Sequence, residues 1–110
     1  MTVTAKDSGS QTATLTTEHT LSTITDAGTY IVSVDVANMA LGDETYIKIY
    51  GKARSSDTER LVYSFPLANV PVYGLFTSLP YSTPHYMKIT LTQEIGTGRA
   101  YPWAAYQLDG

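Results

Sequence analysis

The stretch with the most chemical promise in this chain of 110 residues is QEIGTGRAYPW, residues 93–103, where Gly96 and Gly98 flank Thr97 and are followed by Arg99, Tyr101, Pro102 and Trp103. A glycine-rich turn beside a cation is the raw material of a phosphate cradle. That chemistry works when a helix N-terminus behind the glycines presents free N–H groups and a favourable dipole. Here strand-like sequence stands on both sides, so the pattern predicts a tight hairpin turn whose two glycines supply positive φ. Arg99 is then expected to stack on Tyr101 or Trp103, or to pair with a carboxylate.

The other reactive side chains form no recognisable constellation. His19 and His85 fall on separate predicted elements with no HxH or HExxH spacing, and a metal site would need them to converge with a carboxylate such as Asp43 or Glu44. No serine occupies a G-x-S-x-G elbow, and with no cysteine there is no thiolate nucleophile, no thiolate zinc site and no disulfide framework. Asp26, Asp35, Asp43, Glu44, Asp57 and Glu59 sit mostly at turns, where such residues cap and solubilise. The reading is a non-enzymatic chain without cofactor or metal. Nine tyrosines and one tryptophan raise sugar stacking as an alternative activity, but aromatics at alternating strand positions more often fill a core or pair across strands.

The elements that must position these residues are strands. Only 15% of the chain is charged, and threonine, serine and tyrosine replace the missing charge. Such residues suit pleated, half-exposed surfaces and form helices poorly. Tyr30, Val32, Val34 and Val36 alternate after the turn at Asp26-Ala27-Gly28; Ile47 and Ile49 oppose Tyr46, Lys48, Tyr50 and Lys52; Met87, Ile89 and Leu91 oppose Lys88, Thr90 and Thr92. Leu61, Tyr63, Phe65 and Leu67 alternate too, and Pro66 among them argues for an edge strand or a strand end. About eight short strands at roughly ten-residue spacing predict an all-β antiparallel sandwich, with a jelly roll the leading topology.

The net charge of −3 and seven scattered basic residues lack the footprint of a nucleic-acid binder. No stretch approaches the roughly 18 apolar residues of a membrane-spanning helix, so a soluble chain is expected. Residues 1–12 are small and polar and read as a flexible N-terminal arm, with residues 13–110 forming the sandwich domain. The arm could add a strand to a neighbour's sheet edge. Residues 69–86 carry three prolines and a crowd of apolar side chains, and such a segment packs either under its own domain or against another subunit.

Two stretches carry a resemblance. Gly28, Thr29, Tyr30, Asn38, Met39, Gly42 and Asp43 follow a G-T-Y strand leading into N-M-x-x-G-D. Lys88, Thr90, Leu91, Gln93, Gly96, Thr97, Gly98, Arg99, Tyr101, Pro102 and Trp103 follow a K-x-T-L-x-Q strand leading through G-T-G-R to an aromatic-Pro-Trp strand. The pattern, over roughly residues 28–108, resembles small virion proteins of tailed bacteriophages, similar to jelly-roll capsid decoration or cement proteins. The resemblance implies a structural protein on the outer capsid surface, a homotrimer bound to the major capsid protein across capsomer junctions. On this reading Val72, Tyr73, Phe76, Tyr81, Arg99 and Trp103 are the expected subunit or capsid interface. The alternative is a β-sandwich carbohydrate-binding module, on a phage tail tip or in a secreted protein.

Overall fold

A computed structural model describes residues 2–71 and 73–109 of the chain, which form nine strands and, among the described residues, no helix. In chain order these are β1 (Thr2–Thr12), β2 (His19–Ile24), β3 (Gly28–Asp35), β4 (Glu44–Gly51), β5 (Arg60–Ala68), β6 (Leu75–Thr77), β7 (Tyr81–Thr83), β8 (Met87–Ile95) and β9 (Ala100–Asp109). One antiparallel sheet has the order β1-β9-β3-β6, with β7 also paired to β3; the other has the order β2-β8-β4-β5. This is the strand order of a jelly roll, in which β6 and β7 share the place of one strand. The all-β sandwich expected from the alternation is therefore the fold.

The alternating residues define the core. Tyr30, Val32, Val34, Ile47, Ile49, Met87, Ile89 and Leu91 are fully buried between the sheets. Their strand neighbours on the opposite parity lie on the outer faces, as a period of two requires, though Thr90 and Thr92 on β8 are covered there. Leu61 departs from the expectation: the register between β4 and β5 shifts between Ile49 and Tyr50, which puts Leu61 out of phase with Tyr63, Phe65 and Leu67 and leaves it exposed. Pro66 lies in β5, an edge strand, where its missing N–H has no ladder partner to disappoint.

Two expectations are corrected. Residues 2–12 are not an arm: they form β1, paired with β9 from Thr2↔Asp109 to Thr12↔Ala100, with one bulge between Ala5 and Asp7. Their polarity misleads because an edge strand with one face in water needs few apolar residues. The strand is fixed by its ladder, by Lys6 pairing with Asp26 at 2.5 Å and by Ser22 donating to Asp7 at 2.7 Å. Second, residues 96–99 are not a hairpin tip, because β8 and β9 belong to different sheets and the turn crosses between them. Gly96 has φ +105°, whereas Gly98 is there for space: a Cβ on it would stand 2.2 Å from the Ala13 carbonyl oxygen. The expected number of about eight strands holds, counted as nine because the segment after β6 breaks at residues 78–80, which include Pro80. Ser78 bridges that gap, its N–H donating to Val32 O and its hydroxyl accepting from Val32 N–H.

One open side of the sandwich is closed by aromatic rings. Phe65 on β5 lies 5.1 Å from Phe76 on β6, and Tyr63 meets Tyr81 on β7 edge-on at 6.4 Å. These contacts join the edge strands of the two sheets, a geometry aromatic pairs prefer. Phe76→Ala is expected to lower stability by about 2 kcal/mol, less than the roughly 3–5 of a fully buried phenylalanine because Phe76 is half-buried. Urea unfolding monitored by tryptophan fluorescence measures it.

Candidate interaction site

The jelly-roll order collects four connections at one end of the sandwich: residues 13–18, 36–43, 69–71 with 73–74, and 96–99. A polar node ties them together. Arg99 Nε donates to Asp43 Oδ2 at 2.8 Å, and its NH2 group reaches Oδ1 at 3.5 Å. Asp43 is 1% exposed while Arg99 is 29% exposed, so the carboxylate is inside and the guanidinium closes over it. Ala40 N–H also donates to Oδ2, and the Asp43 carbonyl accepts from Asn69 N–H. Asn69, with φ +61°, accepts from Gly42 N–H through its side-chain oxygen, which ties the end of β5 to the 36–43 loop.

Gln93, fully buried at the end of β8, supplies the second half of the node. Its amide donates to the carbonyls of Thr97 and Ile95, and its oxygen accepts from Arg99 N–H and from the Tyr101 hydroxyl. Tyr101 in turn shares a 2.8 Å hydrogen bond with Thr45 across the core. The first loop is tied in by Ala13 N–H to Arg99 O and by Thr16 N–H to Gln93 O, Thr16 taking φ +65°. Gly96 is required here as well, since a Cβ would fall 1.9 Å from Asp43 Oδ1.

On this rigid base the loops carry apolar side chains into solvent. Leu41 is 84% exposed, Tyr73 81% and Val70 63%. Leu41 adjoins Gly42 and Val70 adjoins Asn69, the two residues joined by the Asn69 hydrogen bond. Gly74, after Tyr73, accepts from Val36 N–H. Leu15 on the first loop and Ile95 at the end of β8 are exposed at the same end. Loops are where binding residues concentrate, and clustered exposed apolar side chains mark contact sites rather than ordinary surface.

The six interface residues expected from the sequence separate. Tyr73 lies on this surface and Arg99 lies beneath it, holding it together. Phe76 and Tyr81 belong to the aromatic seal between the sheets. Trp103 packs toward the core against Gly9, where a Cβ would meet the indole at 3.2 Å. Val72 lies outside the described residues. Leu41 and Val70 were missed by the sequence reading, because an isolated leucine in a turn has no periodicity to flag it.

The histidines do not converge: His19 Nε2 accepts from Thr14 N–H, while His85 bonds Lys52 O on the connection before β8. Among the described residues no three His, Cys, Asp or Glu side chains lie together as metal ligands. The outer face of the β2-β8-β4-β5 sheet carries a second polar cluster. Glu18 accepts from Tyr50 at 2.5 Å and from Thr90 at 2.7 Å, and Glu59 accepts from Tyr86 at 2.5 Å and from Lys88. Lys52 sits 4.3 Å above the Tyr86 ring and Lys88 4.7 Å above the Tyr50 ring. With lysines on their faces and carboxylates on their hydroxyls, these rings offer no open platform to a sugar.

Comparison with known proteins finds no matching family model, no matching curated protein and no matching solved structure.

Two measurements follow from the electrostatics. The Arg99 guanidinium beside Asp43, helped by Ala40 N–H, holds the Asp43 carboxyl below the usual carboxylate range although burial pushes the other way. A depressed folded pKa contributes stability above the ordinary carboxylate value and loses it as pH falls through the folded value. Asp43→Asn is therefore expected to be less stable than the parent at pH 7, with the gap closing in acid, in urea titrations at stepped pH. The Glu18 hydrogen bond, then burial, pushes Tyr50 up to about 12, and burial, then Glu59, pushes Tyr86 up to about 12. Ultraviolet titration of the tyrosines is expected to show at least two ionising near there, and Glu18→Gln to bring one of them down.

Proposed function

We propose that this chain is a non-catalytic structural protein of a tailed-phage virion that decorates the outer capsid surface and cements it, attaching through the four-loop end. The observation that carries the reading is the combination of Leu41, Val70 and Tyr73 in solvent with a buried Asp43 paired to the partly exposed Arg99 behind their loops. Side chains presented on a preorganised base lose little entropy on docking, which is the property of a binding surface. The virion and the capsid surface come from the resemblance of residues 28–44 and 87–103 to decoration proteins.

The physical mechanism is linkage. A protein that binds the closed shell but not the opened one stabilises the closed state in proportion to its occupancy. Each contact can be modest, because several subunits engaged at once multiply weak affinities through effective concentration. An apolar patch centred on a tyrosine suits this task, aromatic anchors being frequent centres of binding energy.

A second reading, glycan binding, rests on the open ring of Tyr73. Electron cryo-microscopy of intact particles and a binding assay on particles stripped of the chain test the first reading. Density on the outer shell is expected, with the loop end facing the capsid. Tyr73→Ala and Leu41→Ala are each expected to weaken attachment roughly tenfold or more while leaving the unfolding midpoint unchanged, since both side chains are in solvent. Undiminished attachment by the double variant, or a chain absent from particles, would overturn the reading. Saturable polysaccharide binding lost in Tyr73→Ala would put the second in its place.

A further inference from the structure

The two outer faces of the sandwich differ in a way the loop-end reading leaves unused. The face of the β2-β8-β4-β5 sheet carries Lys48, Lys88 and Glu44, flanked by Glu18, Glu59 and Lys52, as a surface built for water does. On the face of the β1-β9-β3-β6 sheet, residues of outward parity include Val3, Ile31, Leu75, Ala104, Tyr106 and Leu108, the rest being mainly Ser and Thr. Among the described residues of these strands, Asp35 is the one member of that outward set charged at neutral pH; Lys6, in the β1 bulge, has no register partner and pairs with Asp26. Depletion of charge with retention of a tyrosine is the composition of an interface centre, not of free surface.

We infer that this face is the contact between two copies of the chain, packed sheet against sheet about a two-fold axis. Size supports a second copy as the occupant. The ten residues of β9 at about 3.4 Å each, by four strands at about 4.8 Å, give a face of roughly 600 Å². Two such faces bury about 1,200 Å² in total, above the roughly 1,000 Å² that separates specific interfaces from casual ones. Charge complementarity points the same way. A face with one acid and no base offers nothing to attract a charged partner and little to repel its own copy, provided the two Asp35 side chains lie off the axis.

A shallow groove of about 290 Å³ is lined by Asp35, Leu75, Pro102, Trp103 and Tyr106, with Ser33 and Ala104, a small cross-strand pair, in the register between. In a two-fold arrangement the Tyr106 of each copy enters the groove of the other. A contact in which one patch meets itself closes as a dimer, where the resemblance implies a trimer. The inference stands apart from the attachment proposed above, which uses the loop end, and the two fail separately.

Sedimentation equilibrium of the purified full chain tests it. The expected mass is twice 12.0 kDa, falling to 12.0 kDa in Ala104→Arg and unchanged in Lys48→Glu on the opposite face. A monomer at high micromolar concentration, a trimer, or a dimer that survives Ala104→Arg would each overturn the inference. A monomer in solution whose Tyr106 becomes protected only on the particle would do so too, by making the capsid protein the occupant. Should Ala104→Arg fail to fold by circular dichroism, hydroxyl-radical labelling of Tyr106 in the parent chain across a dilution series decides. Labelling that rises on dilution supports the dimer; labelling independent of concentration sinks it.

Discussion

The loop end of this protein depends on one ion pair. Asp43 is buried and charged, a costly state unless the charge is matched and its oxygens are bonded. Arg99 supplies the match from the crossing turn between β8 and β9, and Ala40 N–H supplies a further bond from within the loop between β3 and β4. Because the two residues come from connections 56 positions apart in sequence, the pair forms only when both sheets are in place. The same closeness forces glycine at 96, and the same turn places Arg99 N–H on Gln93 and Arg99 O on Ala13. A single charge-matching requirement thus fixes the conformation of loops that would otherwise be free to move.

That rigidity gives the exposed apolar side chains meaning. Leucine, valine and tyrosine on mobile loops would be an aggregation hazard; on a locked base they are a surface of defined shape. The division of labour among the aromatics fits the same logic. Tyr63, Phe65, Phe76 and Tyr81 close one side of the sandwich, Tyr50 and Tyr86 are held by carboxylates and covered by lysines, and Tyr73 is left in solvent. Of nine tyrosines, the fold thus leaves Tyr73 most fully open among these, which is why composition alone overstates the capacity for stacking on a sugar.

The two sheets present opposite faces to their surroundings: lysines and glutamates, with one Lys88–Glu59 pair, on one side, and small, apolar and hydroxyl side chains on the other. Strand β1 belongs to the second side. Its polarity is that of an edge strand whose outward residues are small, and its bulge at Lys6 with the Lys6–Asp26 pair blunts the free edge against further strand addition. The face of that sheet, rather than its edge, is where association is physically favoured.

Alternation alone determined the class of fold and most of the core. Tyr30, Val32, Val34, Ile47, Ile49, Met87, Ile89 and Leu91 could be assigned inward from their period of two, because a pleated strand in a sandwich has one wet and one dry face. Pro66 left an edge strand or a strand end open, and the fold made β5 an edge. What a period of two does not encode is which strand lies beside which, so the turn at 96–99 read as a hairpin and residues 2–12 as an arm. A crossing turn and a hairpin turn ask for the same residues, and an edge strand asks for almost none. The pairing of Asp43 with Arg99, the gathering of Leu41, Val70 and Tyr73 at one end, and the retreat of Phe76, Tyr81 and Trp103 into packing were decided by tertiary structure. Each depends on the distance between residues far apart in the chain, and that distance is set only when the two sheets close on one another.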